Sequence, residues 1–185
     1  MEFLPFNTAC FATAIPESLN VRAKLQIATP DQAADIAAFR LAVADDLTAR
    51  CGIGPWSSPG TEKGVLFDIR HGVLYVATHR NQVVASLRLC TKKPWAIDPT
   101  YFSKCSRPLY LLSMAVRPDL QRQGVGTSCL KQAMEFAHQC PADAIRLDAY
   151  DHAAGAGEFY RKGGFTERGR VVYRKAPLVY YELML

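Results

Sequence analysis

Residues 109–150 constrain this chain more than any other stretch. Leu109-Tyr110-Leu111-Leu112-Ser113-Met114-Ala115-Val116 is a nearly continuous apolar run, the pattern of a strand covered on both faces in the middle of a sheet. Gln121-Arg122-Gln123-Gly124-Val125-Gly126-Thr127 follows, then a helical pattern to about Gln139. Its inner face holds Gly126, Cys129, Leu130, Ala133, Met134 and Ala137, with Lys131, Gln132, Glu135 and His138 outside. Pro141 stops that helix, and Ile145, Leu147 and Ala149 alternate as the next strand. Strand, glycine turn, helix, strand is a βαβ unit, so strands 109–116 and 145–150 should be parallel.

The flanking segments extend this unit. Leu25–Ala28 alternates as a short strand, and Thr29-Pro30-Asp31-Gln32 opens a helix with Ile36, Val43 and Leu47 on one face. Cys51–Gly60 reads as a turn-rich loop, continued to residue 64. Val73–Thr78 and Val83–Leu89 form a hairpin about His79–Gln82. Lys92–Ser106, with its prolines, is a second loop. A short helix over Ala153–Lys162 ends at Gly163-Gly164, and two last strands, about Thr166–Tyr173 and Leu178–Leu185, turn at Pro177. Residues 1–22 show no periodicity and read as an N-terminal extension to a domain over 23–185.

Composition narrows the functional classes. With 22 Lys and Arg against 17 Asp and Glu, the net charge is +5, enough to favour anionic ligands but too scattered for a nucleic-acid surface. No apolar run reaches the roughly 18–20 residues of a membrane helix, and the first twenty residues lack the basic end of a secretory signal. Six widely spaced cysteines and four histidines form no CxxC or HExxH pattern. They read as reduced thiols in a cytoplasmic protein, with no metal site.

The turn at 121–127 carries the chemistry. A glycine turn running from a buried strand into a helix leaves backbone N–H groups unpaired beside the positive end of the helix dipole, a site suited to a diphosphate. Gly124 and Gly126 let the backbone approach phosphate oxygens, and Arg122 adds a cation. A Walker loop would need Lys before Thr127-Ser128, and a dinucleotide fingerprint would need Gly or Ala where Cys129 stands. A glycine turn with no ligand is the remaining reading of the spacing alone.

Val116–Gly126, with Gln121-Arg122-Gln123-Gly124-Val125-Gly126 at its end, resembles the pyrophosphate-loop signature of the GNAT superfamily of acetyl-CoA-dependent N-acetyltransferases. Glu158-Phe159-Tyr160-Arg161-Lys162-Gly163-Gly164-Phe165 resembles that family's second signature, and the two blocks stand in the family's order with a strand between them. The resemblance implies an α/β fold: a mixed central sheet of about six to seven strands flanked by helices, with a parallel pair splayed at the cofactor site. It implies that backbone groups of Met114, Ala115 and Val116 hold the pantetheine arm of acetyl-CoA. The pyrophosphate would rest on Gln121, Arg122, Gln123, Gly124, Val125, Gly126 and Thr127, and Tyr160 would protonate the departing thiolate. The acetyl group would pass to a primary amine of a small molecule by direct attack in a ternary complex. A protein or peptide N-acetyltransferase, or a non-catalytic acetyl-CoA-binding module, are the alternatives, and the family also contains homodimers.

The base is the weak point of the resemblance. Where relatives that acetylate lysine often carry a carboxylate on the central strand, this chain has Tyr110; water, Asp148 or Asp151 could serve instead. Asp148 reads as a polar strand residue facing outward. Asp151 replaces an Asn common in relatives, His152 is a loop histidine, and Cys129 belongs to the packed helix face.

Overall fold

The structure, a computed structural model, describes residues 23–58 and 60–185; the expected extension over 1–22 lies outside them. The described residues form β1 (Gln26–Ile27), α1 (Ala33–Cys51), α2 (Glu62–Arg70), β2 (Val73–His79), β3 (Gln82–Cys90) and β4 (Pro108–Val116). They continue with α3 (Val125–Gln139), β5 (Ala144–Tyr150), α4 (Gly157–Lys162), β6 (Thr166–Tyr173) and β7 (Ala176–Met184). These strands make a seven-stranded mixed sheet in the order β1-β2-β3-β4-β5-β7-β6, with β4 at its centre. Only β4 and β5 are parallel among them, as the crossover through α3 requires.

Both faces of the sheet are covered. On one, α3 contributes Val125, Cys129, Leu130, Ala133 and Ala137 to a core shared with Leu87, Leu111, Ile145 and Leu147, and α4 adds Tyr160. On the other, α1 and α2 place Ile36, Val43 and Val65 against Leu74 and Val76. Each fully buried aliphatic side chain contributes about 1.5–3 kcal/mol, which is why the apolar positions dictate the packing. Residues 91–107 cover the opposite end of that second face, where Ile97 and Phe102 pack on Tyr110 and Tyr180.

Local chemistry explains the element boundaries. Thr29 donates its backbone N–H to the Gln32 side-chain oxygen at 3.0 Å, and Pro30 begins the 3-10 turn that runs into α1. The two-residue turns Arg80-Asn81 and Arg174-Lys175 have positive φ at both residues (50° and 61°, 48° and 69°), the hairpin geometry that matches strand twist. The second of these moves the expected turn: Pro177 lies inside β7, opposite Val172, rather than at the reversal. The final helix likewise begins at Gly157 rather than Ala153.

Three further expectations are corrected. The region read as loop through residue 64 contains a 3-10 turn, Pro55–Ser57, and the start of α2, whose Thr61 hydroxyl caps the Gly64 N–H at 3.1 Å. Gln132 is not simply outside: its side chain accepts from Leu25 N–H at 2.9 Å and donates to Ala23 carbonyl at 2.7 Å, tying the chain before β1 to α3. Asp148 does not face solvent; it is half-buried, because its face of β5 is covered. No helix among the described residues is long and apolar enough to cross a membrane.

Candidate active site

The parallel pair holds together for only three residues. Pro108↔Ala144, Leu109↔Ile145 and Tyr110↔Arg146 are in register, and beyond them β4 and β5 part while β5 stays paired with β7 to Tyr150↔Leu178. Ser113, at φ +51°, sits in a register shift opposite Ser86–Arg88 and is exposed in mid-sheet. A bulge of this kind bends its strand and leaves one backbone edge without a ladder partner. The expected pantetheine-holding residues Met114, Ala115 and Val116 stand on that edge, each partly exposed. The splay expected for the parallel pair is therefore present.

The glycine turn lies at the end of the same strand. Gly124 is the left-handed cap of α3 (φ 84°, ψ −7°), and Arg122 before it also has positive φ, 61°. The first intrahelical N–H bond is that of Ser128 to the Gly124 carbonyl, 2.9 Å. The amides of Val125, Gly126 and Thr127 therefore start the helix without an intrahelical acceptor. A Cβ on Gly124 would meet nothing within 4 Å, and one on Gly126 would meet Phe159 at an ordinary 3.4 Å. Open space above the turn fits a phosphate group that approaches the backbone. Gln121 and Gln123 brace the turn with their side chains: Gln121 donates to Val116 carbonyl at 3.1 Å and Gln123 to Asp119 carbonyl at 2.7 Å. Gln121 and Gln123 thus brace a turn whose first helical amides lack an intrahelical acceptor, with Arg122 and Thr127 both exposed beside it.

Tyr160 is 7% exposed and comes from α4, packed edge-on to Phe165 with ring centres 5.7 Å apart and beside Tyr181. Burial first, and then the negative charge of Asp148, push its phenol well above the ordinary tyrosine range. The phenol is therefore protonated at neutral pH and available as a donor. Cys129, 1% exposed in the α3 core, has its thiol pushed up to about 11 by burial, the setting of an unreactive packed thiol. Asp151 is paired with Arg170 at 2.6 Å, and His152 stacks on Trp56 at 4.6 Å while its Nδ1 accepts the Ala154 N–H.

A cavity of about 280 Å³ adjoins the splay. Its floor is Ser113, Met114 and Ala115; Arg40, Val43, Ala44 and Leu47 of α1 form one wall, and Pro55, Trp56, Ser58 and Gly60 the other, with Tyr150 at the end. Trp56 is anchored by its indole N–H on the Gly52 carbonyl, 2.9 Å, and meets Tyr150 edge-on at 5.6 Å. The second loop, residues 92–106, contributes no residue to the lining of this cavity. Their buried groups are instead engaged at the far end of the sheet, where Arg146 bonds Ser103 and Glu182. The α1 wall was not read from the sequence as site-forming, although Arg40, Val43, Ala44 and Leu47 recur at helical spacing on one face.

Among the described residues no group of three or more His, Cys, Asp or Glu could hold a metal ion. Solved structures with the same fold include a GCN5-related N-acetyltransferase from Rhodopseudomonas palustris (21% identity, 88% of this chain and 96% of that one, TM-score 0.65). A ribosomal-protein-alanine N-acetyltransferase from Brucella melitensis is similar at 16% identity over 88% and 99% of the two chains, TM-score 0.66. The yncA protein of Salmonella typhimurium, solved with its cofactor acetyl-CoA, is similar at 14% identity over 89% and 94%, TM-score 0.63. No curated protein matches the chain significantly. The profile of the acetyltransferase (GNAT) family matches residues 41–165, which contain the bulged strand, the glycine turn and the Tyr160 helix, and the chain belongs to this family of acetyltransferases.

Proposed function

We propose that the protein transfers the acetyl group of acetyl-CoA to the primary amine of a small molecule, by direct attack while donor and acceptor are bound together. Residues 23–185 constitute the acetyltransferase domain in this reading. The observation that carries it is a continuity: the unpaired edge of β4 leads from the glycine turn at Val116 to the cavity floor at Ser113–Ala115. A donor lying along that edge has its diphosphate on the amides of residues 121–127 and its thioester at the mouth of the cavity.

The physical roles follow from position. Main-chain groups of Met114, Ala115 and Val116 take the amides of the pantetheine arm as a strand would, although the Val116 carbonyl already accepts from Gln121. The amine nitrogen attacks the thioester carbonyl carbon, a C–N bond forms, and the C–S bond breaks with its electron pair on sulfur. A thiol has an ordinary pKa of about 8.5, so a phenol donating to the departing sulfur assists its release. Tyr160 is the donor in this reading. The cavity is small and largely apolar, which suits a compact amine. The free thiols among the described cysteines suit a reducing, cytoplasmic setting.

Thiol release from acetyl-CoA, followed against polyamines, amino acids, aminoglycosides and short peptides, tests this. Turnover with a small amine well above the rate of acetyl-CoA hydrolysis supports it. Turnover on peptides alone would transfer the assignment to a peptide acceptor, and acetyl-CoA binding with no turnover on any amine would indicate a binding module.

A further inference from the structure

The structure assigns Asp148 as the residue that receives the acceptor's ammonium group and removes its proton, an inference that rests on the acetyl transfer proposed above. Three observations meet there. Asp148 is two residues beyond Arg146, the last β5 residue paired with β4, so it stands on the same face at the lip of the splay. Side chains at i and i+2 of a strand share a face, which puts Asp148 beside Tyr150 at the end of the cavity. Tyr180 stands directly across on β7.

The second observation is the lack of a cation. Asp148 is half-buried, and among the described residues its carboxylate has no partner beyond its own backbone N–H. Its neighbours differ: Glu182 is bound by Arg146 and Arg168, and Asp151 by Arg170. In a chain with net charge +5, a half-buried carboxylate without a counter-ion is an open position for a cationic ligand group. A primary ammonium is such a group, and it is the form in which an alkyl amine arrives at neutral pH.

The third observation concerns competing protons. The groups sharing the face of Asp148 are Tyr150 on its own strand and Tyr180 on β7, besides Arg146, which is occupied by Glu182; Tyr160 of α4 packs on the other face of the sheet, near enough for the Asp148 charge to act on its phenol. Burial raises all three phenols, so none ionises between pH 6 and 9 to serve as the base. Burial also raises the Asp148 carboxyl above the ordinary aspartate value, which makes its anion a stronger acceptor for the ammonium proton. The step balances: the ammonium gives one proton to the Asp148 carboxylate, and the neutral nitrogen attacks the thioester carbon. The thiolate leaves and takes the phenol proton of Tyr160. The second nitrogen proton restores the phenol through solvent, and Asp148 returns its proton to water.

The test is Asp148→Asn, with kcat/KM measured from pH 6 to 10 on an alkyl amine the wild type acetylates, and acetyl-CoA affinity measured by calorimetry. We expect kcat/KM at pH 7 to fall roughly 10²–10⁴-fold, the range for loss of a general base. The deficit should shrink as pH approaches the amine's own pKa, with acetyl-CoA affinity unchanged within about twofold. Asp148→Glu should recover part of the activity. Asp148→Ala, which adds no volume, replaces the Asn variant if that one does not fold. A loss under threefold, or an equal loss at every pH, would overturn the assignment while leaving acetyl transfer intact. The same follows if His152→Gln rather than Asp148→Asn removes the acid limb. A wild type that binds acetyl-CoA but acetylates no amine would overturn the proposed function first, and this inference with it.

Discussion

Placing a carboxylate at residue 124 separates folding from donor binding. Gly124 holds φ +84°, and a Cβ there meets nothing within 4 Å. The cost to the protein itself is therefore only that of a left-handed backbone at a residue with a Cβ, about 1–2 kcal/mol. For a domain of this size that lowers Tm by about 2–8 °C, at about 2–4 °C per kcal/mol. Donor binding should suffer more, because the new carboxylate points into the space assigned to the diphosphate. One unit charge facing another at about 4 Å costs about 4 kcal/mol at an effective dielectric constant near 20. If water screens half of this, about 2 kcal/mol remains. At about 1.4 kcal/mol per decade, acetyl-CoA affinity should fall about 30- to 700-fold. Isothermal titration of Gly124→Asp with acetyl-CoA reads this directly. The loss should shrink at high salt, where the charges are screened. Gly124→Ala, with the same backbone strain and no charge, should lose much less. A folded Gly124→Asp protein that binds acetyl-CoA within threefold of wild type would refute the placement of the diphosphate on this turn.

Other perturbations test the remaining parts. Tyr160→Phe removes a hydroxyl with no hydrogen-bond partner among the described residues, so Tm should barely move while kcat on an acetylated amine falls about 10²-fold or more; an unchanged kcat removes its role as acid. Glu182→Gln leaves Arg146, whose side chain is 5% exposed, without its counter-charge, and should cost about 3–5 kcal/mol by chemical denaturation. Burial pushes the Glu182 carboxyl up, but hydrogen bonds from Arg146 and Ser103 outweigh it and hold the value below the ordinary one. Its stabilisation is therefore complete above the unfolded value of about 4.3 and lost as pH falls through the folded value. Wild-type stability should accordingly fall more steeply than that of Glu182→Gln below about pH 4, and parallel curves would contradict the linkage. Alkylation at pH 8 followed by peptide mass spectrometry should label exposed Cys140 first and Cys129 only after unfolding.

Much of this architecture was legible because its signals are local. The apolar run of β4, the glycine cap at 124, the helical stripe of α3 and the alternation of β5 each follow from the backbone needs of a few neighbouring residues. Together they specify a parallel pair and a turn of open amides. The two signature blocks added Tyr160, because a short helix closed by Gly163-Gly164 has a recognisable spacing. α2 was missed because Gly64 and the prolines before it carry turn chemistry, while its helix is secured by one cap and by Val65 packing against the sheet.

The cavity proposed for the acceptor has no such local signature. Its walls come from residues 40–47, 55–60, 113–115 and 150, and nothing in any one of these segments announces the others. The orientation of Asp148 is similar: strand alternation places it on a face, but whether that face meets water depends on what Tyr150, Tyr180 and the segment carrying Ile97 and Phe102 cover. Sequence by itself therefore determined the proposed donor side of this protein, where one continuous stretch supplies strand edge, turn and helix start. Only the tertiary structure decided the proposed acceptor side, because a cavity and a desolvated charge exist only once distant segments have packed against one another.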